Sequence, residues 1–138
     1  METNDDINIQ TIKMIADRQK YLVLKKWFKT PPVPKIIFCD TDAITTEIYS
    51  RHYLGEVPKE VYDAQNELQY DHYFYLTYQG TPWVKDPLRD LGDQREEMDI
   101  KFREALNTRG IYPWYLNGTW EERFAVAEQK INDLIRGN

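Results

Sequence analysis

The sequence has few of the residues that form disulfide bonds or transition-metal centres. Its 138 residues include one cysteine, Cys39, and two histidines, His52 and His72. A single cysteine cannot form an internal disulfide, and so few ligands exclude a zinc centre built from histidine and cysteine. A chain of this length buries enough surface to fold on an apolar core without such cross-links.

Long apolar runs and an excess of basic residues are also lacking. No segment approaches the ~18 apolar residues that a membrane span requires, and no charged-then-apolar leader opens the chain. The 18 basic residues are outnumbered by 23 acidic ones, which gives a net charge of −5 and disfavours a nucleic-acid binder that relies on bulk charge. We therefore expect a single soluble, cytoplasmic domain over residues 1–138, with neither membrane nor nucleic acid as a partner.

Aromatic residues, by contrast, are abundant. Four Trp, ten Tyr and five Phe make up 14% of the chain, while 41% is hydrophobic and 30% is charged. This composition is globular. The aromatic content is typical of proteins in which flat ligands stack or partners dock.

Apolar periodicity and capping residues predict strands that alternate with helices, which indicates an α/β fold with a parallel sheet. The predicted helices cover residues 7–28, 43–53, 58–68, 94–109 and 120–135, and the predicted strands cover 36–40, 71–78 and 112–116. The first helix is predicted to face inward with Ile12, Ile15, Ala16, Gln19, Leu22, Val23 and Trp27, and the last with Phe124, Ala127, Ile131, Leu134 and Ile135.

The apolar run at residues 36–39 ends in Asp40. This pattern is typical of a buried strand that delivers a carboxylate to the carboxyl edge of a parallel sheet. There a carboxylate can hold Mg²⁺ through water or accept a proton from an attacking hydroxyl, as a Walker B acid does. Asp42, Thr45 and Thr46 follow at the same junction. The simpler alternative is a structural strand that ends in a helix cap.

A second polar group lies in the loop at residues 82–92 and just beyond it. Arg89 and Arg95 are placed to flank a loop-to-helix junction and to bracket a phosphate group from two sides. The rigid fork of guanidinium donors matches phosphate oxygens. The alternative is a solvated charged face, in which neighbouring acids pair with the two arginines.

Three segments, residues 38–46, 83–92 and 118–124, carry a resemblance to a known family. In this order they resemble the ribosylnicotinamide kinase domain at the C-terminus of NadR-type NAD-biosynthesis proteins, and they are also similar to related small P-loop kinases. The resemblance implies a three-layer P-loop-NTPase-like fold, with a parallel sheet flanked by helices. It also implies that ATP and Mg²⁺ are used to phosphorylate the ribosyl hydroxyl of nicotinamide riboside.

The same resemblance implies a role for each matching residue. Asp40 would be the Walker B acid, near Mg²⁺ or the attacking hydroxyl. A lid over about residues 81–95 would bring Arg89 and Arg95 to the transferred phosphoryl group, and Pro87 would make this lid stiffer than the glycine expected there. The nucleoside would be lined by Asp42, Thr45, Thr46, Trp83 and Asp86, and the adenine of ATP by Gly118, Thr119 and Trp120.

The phosphate-binding loop of such a kinase does not occur in this sequence. None of the six glycines is followed by Lys-Ser or Lys-Thr, so the motif G-x-x-x-x-G-K-[ST] is absent. Removing one well-placed donor from a catalytic site costs about 10²–10³ in rate, and this loop supplies several donors. We therefore expect the back portion of a kinase, inactive by itself, whose parallel sheet is incomplete because its first strand is absent.

An incomplete sheet exposes strand edges, which are templates for pairing with another chain. We expect either a homo-oligomer or a completing N-terminal segment to cover them. Two other functions fit the same residues. One is a non-catalytic binding or assembly module on a kinase scaffold, and the other is a fragment of a kinase specific for another nucleoside or nucleotide.

Overall fold

The computed structural model describes residues 7–29, 36–79 and 94–137 of the chain. These residues belong to two compact units, which divide between Tyr70 and Asp71. The described part of the first unit contains helices, whereas that of the second contains two parallel strands and two helices.

The first unit packs three helices around a small core. They are α1 (Ile9–Lys29), α2 (Ala43–Leu54) and α3 (Lys59–Glu67). The core consists of Ile12, Ala16, Ala43, Val61 and Ala64. Alanine occupies three of these five positions, and side chains this small let the helix axes approach closely.

Both ends of α2 confirm the prediction from capping residues. Asp42 is the N-cap, and its Oδ1 accepts a hydrogen bond of 3.0 Å from the backbone N–H of Thr45. Gly55 ends the helix in the left-handed region, with φ of 72°, and donates its N–H to the carbonyl of Arg51. These bonds satisfy backbone groups that have no partner within the helix.

Helix α1 forms where it was predicted, but three of the seven residues predicted to face inward are exposed. Of the predicted residues only Ile12 and Ala16 are buried, while Ile15, Leu22 and Trp27 are 43–46% exposed. Periodicity marks the apolar face of a helix, but the neighbouring elements decide how much of that face is covered. Here the buried positions lie near the N-terminal end, against the small core shared with α2 and α3.

The predicted strand at residues 36–40 is also wrong. Residues 36–39 are neither helix nor strand, and the side chains of Ile36 and Phe38 are 47% and 66% exposed. A strand requires a neighbour that accepts and donates ladder hydrogen bonds. Among the described residues none pairs with this run, since the described sheet consists of two other strands.

The second unit is a strand–helix–strand arrangement followed by a final helix. Strand β1 (Phe74–Leu76) pairs in parallel with β2 (Trp114–Leu116), and α4 (Arg95–Thr108) and α5 (Trp120–Ile135) complete the unit. Phe74 lies opposite Trp114 in the register. The parallel pairing confirms the predicted α/β character, although both strands are shorter than predicted because ladder bonds reach only three residue pairs.

Helix α5 begins at its predicted capping box but presents a different face to the interior. Phe124 and Ile135, predicted to point inward, are 68% and 64% exposed, whereas Arg123 is buried. The partly buried apolar positions are Ala127, Ile131 and Leu134, one helical turn after another from Arg123. The prediction failed because it assigned the inner face by apolarity, and an arginine with carbonyl partners occupies the first inner position.

The length and apolarity of the described helices bear on whether the chain could span a membrane. None of them, within residues 7–29, 36–79 and 94–137, has the length and apolarity that a membrane span requires.

At the start of α4 the predicted cap Asp93 lies outside the described residues, and Gln94 holds the N-cap position without a side-chain hydrogen bond. Gly110, predicted to follow the helix in the left-handed region, has a φ of 71°.

Candidate functional site

A group of mostly polar residues of the second unit lies at the carboxyl ends of β1 and β2. We call this group the strand-end cluster: Thr77, Tyr78, Gln79, Arg95, Asn117, Gly118, Thr119, Trp120 and Arg123. In open α/β sheets, ligands bind outside the carboxyl ends of parallel strands. The cluster is therefore the candidate ligand site of this unit.

Thr77 and Asn117 join the two strand ends. Thr77 is 3% exposed, and its Oγ1 lies 2.6 Å from Oδ1 of Asn117 and 3.1 Å from the carbonyl oxygen of Leu116. The backbone N–H of Thr77 donates to the same carbonyl at 3.1 Å. These contacts extend the parallel pairing by one residue, so the loops that follow start from a fixed pair of positions.

The loop after β2 is held by the capping box of α5. The Thr119 hydroxyl accepts from the N–H of Glu122 at 3.2 Å, and Oε1 of Glu122 accepts from the N–H of Thr119 at 2.9 Å. Hydrogen bonds from Thr119 to the Glu122 carboxylate, from the backbone first and the side chain second, lower the pKa of Glu122 because they favour its charged form. The site therefore carries a fixed carboxylate at the start of α5.

Gly118 is required by the geometry of this loop. Its φ is 91°, and an added Cβ would lie 2.7 Å from Oε1 of Glu122. The position thus needs a residue with no side chain, both for the backbone conformation and for the space. Trp120 follows on the first turn of α5 with its side chain 66% exposed, which leaves a flat aromatic surface open beside the loop.

Arg123 links this loop to the end of β1. Its Nε–H donates to the carbonyl of Gly118 and its Nη2–H to the carbonyl of Gln79, each at 2.8 Å. The guanidinium carbon lies 5.3 Å from the centre of the Trp120 ring. One buried side chain therefore contacts both loops of the strand-end cluster.

The structure brings one of the two predicted phosphate-binding arginines to this cluster. Arg95 is the first residue of α4, and its guanidinium carbon lies 5.0 Å from the ring centre of Tyr78, just beyond β1. Arg89, Trp83 and Asp86 lie outside the described residues. The predicted adenine residues Gly118, Thr119 and Trp120 are contiguous at the end of β2, in the same unit as Arg95.

The first unit holds the other predicted residues at the start of α2. Oδ1 of Asp42 accepts from both the backbone N–H and the hydroxyl of Thr45, at 3.0 and 3.1 Å. The Thr46 hydroxyl donates to the carbonyl of Asp42 at 3.2 Å, and Thr46 is 7% exposed. These hydrogen bonds cap the helix and use one carboxylate oxygen of Asp42.

Thr41 gives this junction an unusual backbone. It is not a glycine, yet its φ of 65° lies in the left-handed region, and its carbonyl accepts from Nε2 of Gln19 at 2.9 Å. Such conformations are strained and occur preferentially at functional sites. The turn directs the chain from the exposed Asp40 into the cap at Asp42.

The fit of Mg²⁺ to this junction is limited. Within the described residues no group of three histidine, cysteine or acidic side chains converges on one point. Mg²⁺ in kinases is held by one or two carboxylates and otherwise by water and phosphate oxygens. The exposed Asp40 fits as one such carboxylate, so the other ligands would have to be water and the oxygens of a bound triphosphate.

Sequence reasoning missed Arg123 as a site residue. Its position in the sequence carries a signal, because Arg123, Ala127, Ile131 and Leu134 share one helix face on which the other three are apolar. An arginine that interrupts an inner stripe at a helix start, next to a strand-end loop, indicates a buried hydrogen-bonding role. Its carbonyl partner in Gln79 is 44 residues away and has no sequence signal.

Comparison with known proteins identifies the family of the chain. A family profile described as an AAA domain matches residues 3–123. The trifunctional NAD biosynthesis/regulator protein NadR of Escherichia coli (strain K12) is 34% identical over 79 residues, which cover 56% of this chain and 19% of that protein. The chain thus spans less than a fifth of that relative's length in the match, whereas the family profile covers most of the chain. The chain belongs to the AAA domain family, whose members have a P-loop-type nucleotide-binding fold.

Proposed function

We propose that this chain is the nucleoside-binding and adenine-binding part of an ATP-dependent kinase of NAD metabolism, with nicotinamide riboside as its substrate. The observation that carries the proposal is the exposed Trp120 beside Gly118, at the carboxyl end of a parallel strand. The similarity to NadR supports the link to NAD metabolism. The choice of nicotinamide riboside as the substrate rests on the family resemblance described above.

Trp120 is suited to stack on the adenine ring of ATP. Its indole is 66% exposed, and base–aromatic stacking contributes about 1–3 kcal/mol per base. The Arg123 guanidinium near the ring adds positive charge beside the indole. Gly118 keeps the adjacent backbone free of a side chain, so that a flat ligand can approach the loop closely.

The junction at the start of α2 would receive the nucleoside. The second carboxylate oxygen of Asp42 is suited to accept a hydrogen bond from a ribose hydroxyl. Thr45 and Thr46 line the same turn, and the exposed Asp40 would accept the proton of the attacking hydroxyl. Trp83 and Asp86 are proposed on the nucleoside side, and Arg89 and Arg95 beside the transferred phosphoryl group.

Phosphoryl transfer requires more than these residues. The 138 residues contain no G-x-x-x-x-G-K-[ST] motif, whose backbone N–H groups and lysine bind the triphosphate. Mg²⁺, when bound, would neutralise charge that develops on the phosphoryl group. We therefore propose that the chain binds the nucleoside and the base but does not transfer phosphate by itself.

The exposed run at residues 36–39 indicates where a completing strand would pair. Ile36 and Phe38 are exposed while Ile37 and Cys39 are partly buried, an alternation typical of extended chain with one face covered. We propose that a second copy or an N-terminal segment hydrogen-bonds to this run. Sedimentation at several concentrations tests the second copy, and a monomer at all of them contradicts it.

The same exposed run favours a second candidate function, a non-catalytic assembly module. Such a module would bind a partner strand without binding nucleosides. A third candidate, a kinase fragment for another nucleoside or nucleotide, would keep the site but prefer a different base. The ligand binding described next separates these candidates.

Calorimetry with adenosine, ATP·Mg²⁺ and nicotinamide riboside tests the proposed function. We expect saturable binding of adenosine and nicotinamide riboside, and no ADP production from ATP. W120A removes a stacking contact of about 1–3 kcal/mol, which lowers adenosine affinity by about 5–150-fold.

The matched control is Y112A, because Tyr112 is an aromatic residue of the same unit with 82% exposure. It should leave adenosine affinity unchanged. Absence of nucleoside binding contradicts the kinase proposal and favours the assembly module. If another nucleoside binds more tightly than nicotinamide riboside, that nucleoside replaces nicotinamide riboside as the proposed substrate.

A further inference from the structure

Arg123 is a buried cation whose partners in the structure are neutral. The residue is 2% exposed, and its two hydrogen bonds go to backbone carbonyl oxygens of Gln79 and Gly118. Among the described residues no carboxylate forms an ion pair with it. Burying a charge without a counter-ion is costly, so a packing role alone does not account for arginine here.

The geometry of the guanidinium explains the choice of arginine. Its donors are fixed in one plane, so two acceptors bound at Nε and Nη2 are held at a set separation. Both bonds are 2.8 Å long, which is short for a nitrogen donor and consistent with a charged one. A lysine at this position would keep the charge but would hold neither carbonyl at a fixed angle.

The two carbonyls belong to the loops that follow the two strands. Gln79 lies just after β1, and Gly118 lies just after β2 and leads into Trp120. In the described part of the unit, the side-chain hydrogen bonds that bridge these loops come from the Thr77–Asn117 pair and from Arg123. The separation of the loops therefore depends on this guanidinium.

We infer that Arg123 is a positioning residue, which holds the loop after β1 and the Gly118–Trp120 loop at the separation that an adenine nucleotide needs. This inference rests on the proposed function, because it takes Trp120 as the adenine platform. Arg123 acts through the two carbonyls and the Trp120 ring rather than by touching the reacting atoms. Its loss should disorder the site before it unfolds the unit.

Two substitutions at Arg123 test the inference in the ligand-free chain. R123M removes every donor, and R123K keeps the charge in a narrower side chain. We expect NMR to show shifted carbonyl signals for Gln79 and Gly118 in both variants. The Thr77 amide should exchange about tenfold faster in R123M and by a smaller factor in R123K. R136M, at an exposed arginine that follows α5, should change none of these signals.

A titration with AMP, followed at the indole N–H of Trp120, tests the link to nucleotide binding. We expect R123M to weaken AMP binding about tenfold and R123K to weaken it less. The control is L106A, which lowers the stability of the same unit by opening a cavity at a buried leucine. L106A should leave AMP affinity unchanged, because Leu106 is not part of the strand-end cluster.

Each outcome decides a different point. Equal loss of AMP affinity in R123M and L106A overturns the positioning role, because destabilisation alone would then explain both. Unchanged carbonyl signals and unchanged Thr77 exchange in R123M also overturn it. If the unsubstituted chain binds no AMP, the adenine site of the proposed function is contradicted, and the ligand-free comparison still decides whether Arg123 positions the loops.

Discussion

The phenol of Tyr75 donates a hydrogen bond of 2.6 Å to Oδ1 of Asp99, which joins strand β1 to helix α4. The other carboxylate oxygen accepts from Nε of Arg103 at 2.8 Å. The Arg103 guanidinium in turn lies 5.2 Å from the Tyr75 ring centre and 4.6 Å from that of Tyr115. One carboxylate therefore fixes α4 against both strands, and α4 begins with Arg95.

Removing this phenol should lower the stability of the second unit. Y75F leaves Asp99 paired with Arg103 but removes a hydrogen bond to a charged acceptor, at a cost of about 1.5 kcal/mol. Urea unfolding should show a lower midpoint with an unchanged m-value. Y112F, at a tyrosine that is 82% exposed, should stay within about 0.5 kcal/mol. Equal stabilities for the two variants would contradict the role of the Tyr75–Asp99 bond.

Tyr75 should also make stability sensitive to alkaline pH. Burial first, and the hydrogen bond to Asp99 second, raise the pKa of Tyr75 above its ordinary value. The contribution of a raised pKa is complete below the unfolded value of about 10 and is lost as pH rises through the folded value. We expect the stability difference between the unsubstituted chain and Y75F to shrink above about pH 10. Phenolate absorbance should show a late-titrating component that Y75F removes.

Two substitutions of Asp42 should separate its capping of α2 from its proposed binding of a ribose hydroxyl. D42A removes the acceptor for the Thr45 N–H and should cost about 1 kcal/mol of stability. D42N keeps an acceptor oxygen and should retain most of that stability. If the carboxylate binds a ribose hydroxyl, calorimetry should show weaker nicotinamide riboside binding in both variants. Normal binding by a stable D42N would remove Asp42 from the proposed site.

Two glycines with left-handed backbones offer a matched comparison. The Cβ added by G110A would have no neighbour within 4 Å. This substitution should therefore lower stability only by the conformational penalty of about 1–2 kcal/mol. G118A adds a Cβ that would lie 2.7 Å from Oε1 of Glu122, so it should cost more because the capping box must open. Thermal unfolding of both variants measures the difference. A smaller loss for G118A than for G110A would show that Glu122 moves aside freely.

The capping box at Thr119 predicts a measurable carboxyl titration. Hydrogen bonds from Thr119 lower the pKa of Glu122, so its contribution to stability is present above the unfolded pKa and is lost as pH falls through the folded pKa. Carboxyl NMR should place the Glu122 midpoint below the ordinary glutamate value. T119A removes the Thr119 hydroxyl, whose side-chain hydrogen bond is the second cause of the lowered pKa of Glu122, and should raise that midpoint. An unchanged midpoint in T119A would leave the backbone N–H as the main cause.

Local signals in the sequence predicted a good part of the fold. Asp42, Gly55 and Thr119 act through hydrogen bonds or backbone angles within a few residues of themselves, so each helix end that they mark is where it was expected. The runs at residues 71–78 and 112–116 were both recognised as strands, and their parallel pairing follows from the helix between them. The assignment of residues 118–120 to the adenine rests instead on the family resemblance and stays a prediction.

Phe38 and Phe124 show where such reasoning stops. Both were assigned to the interior by their apolarity, and both are more than 60% exposed. A short apolar run becomes a strand only if another strand pairs with it, and a helix face becomes interior only if another element covers it. Those conditions depend on residues far away in the sequence, which the local pattern does not contain.

The amino-acid order alone settled both ends of α2, the start of α5, the strand–helix–strand order of the second unit and the lack of a phosphate-binding motif, because each rests on neighbouring residues. The burial of Arg123 between the carbonyls of Gln79 and Gly118, the pairing of Tyr75 with Asp99, and the exposure of Phe38 were decided by the tertiary structure. Hydrogen bonds and contacts between distant segments exist only after the chain has brought those segments together, and no spacing rule encodes their partners.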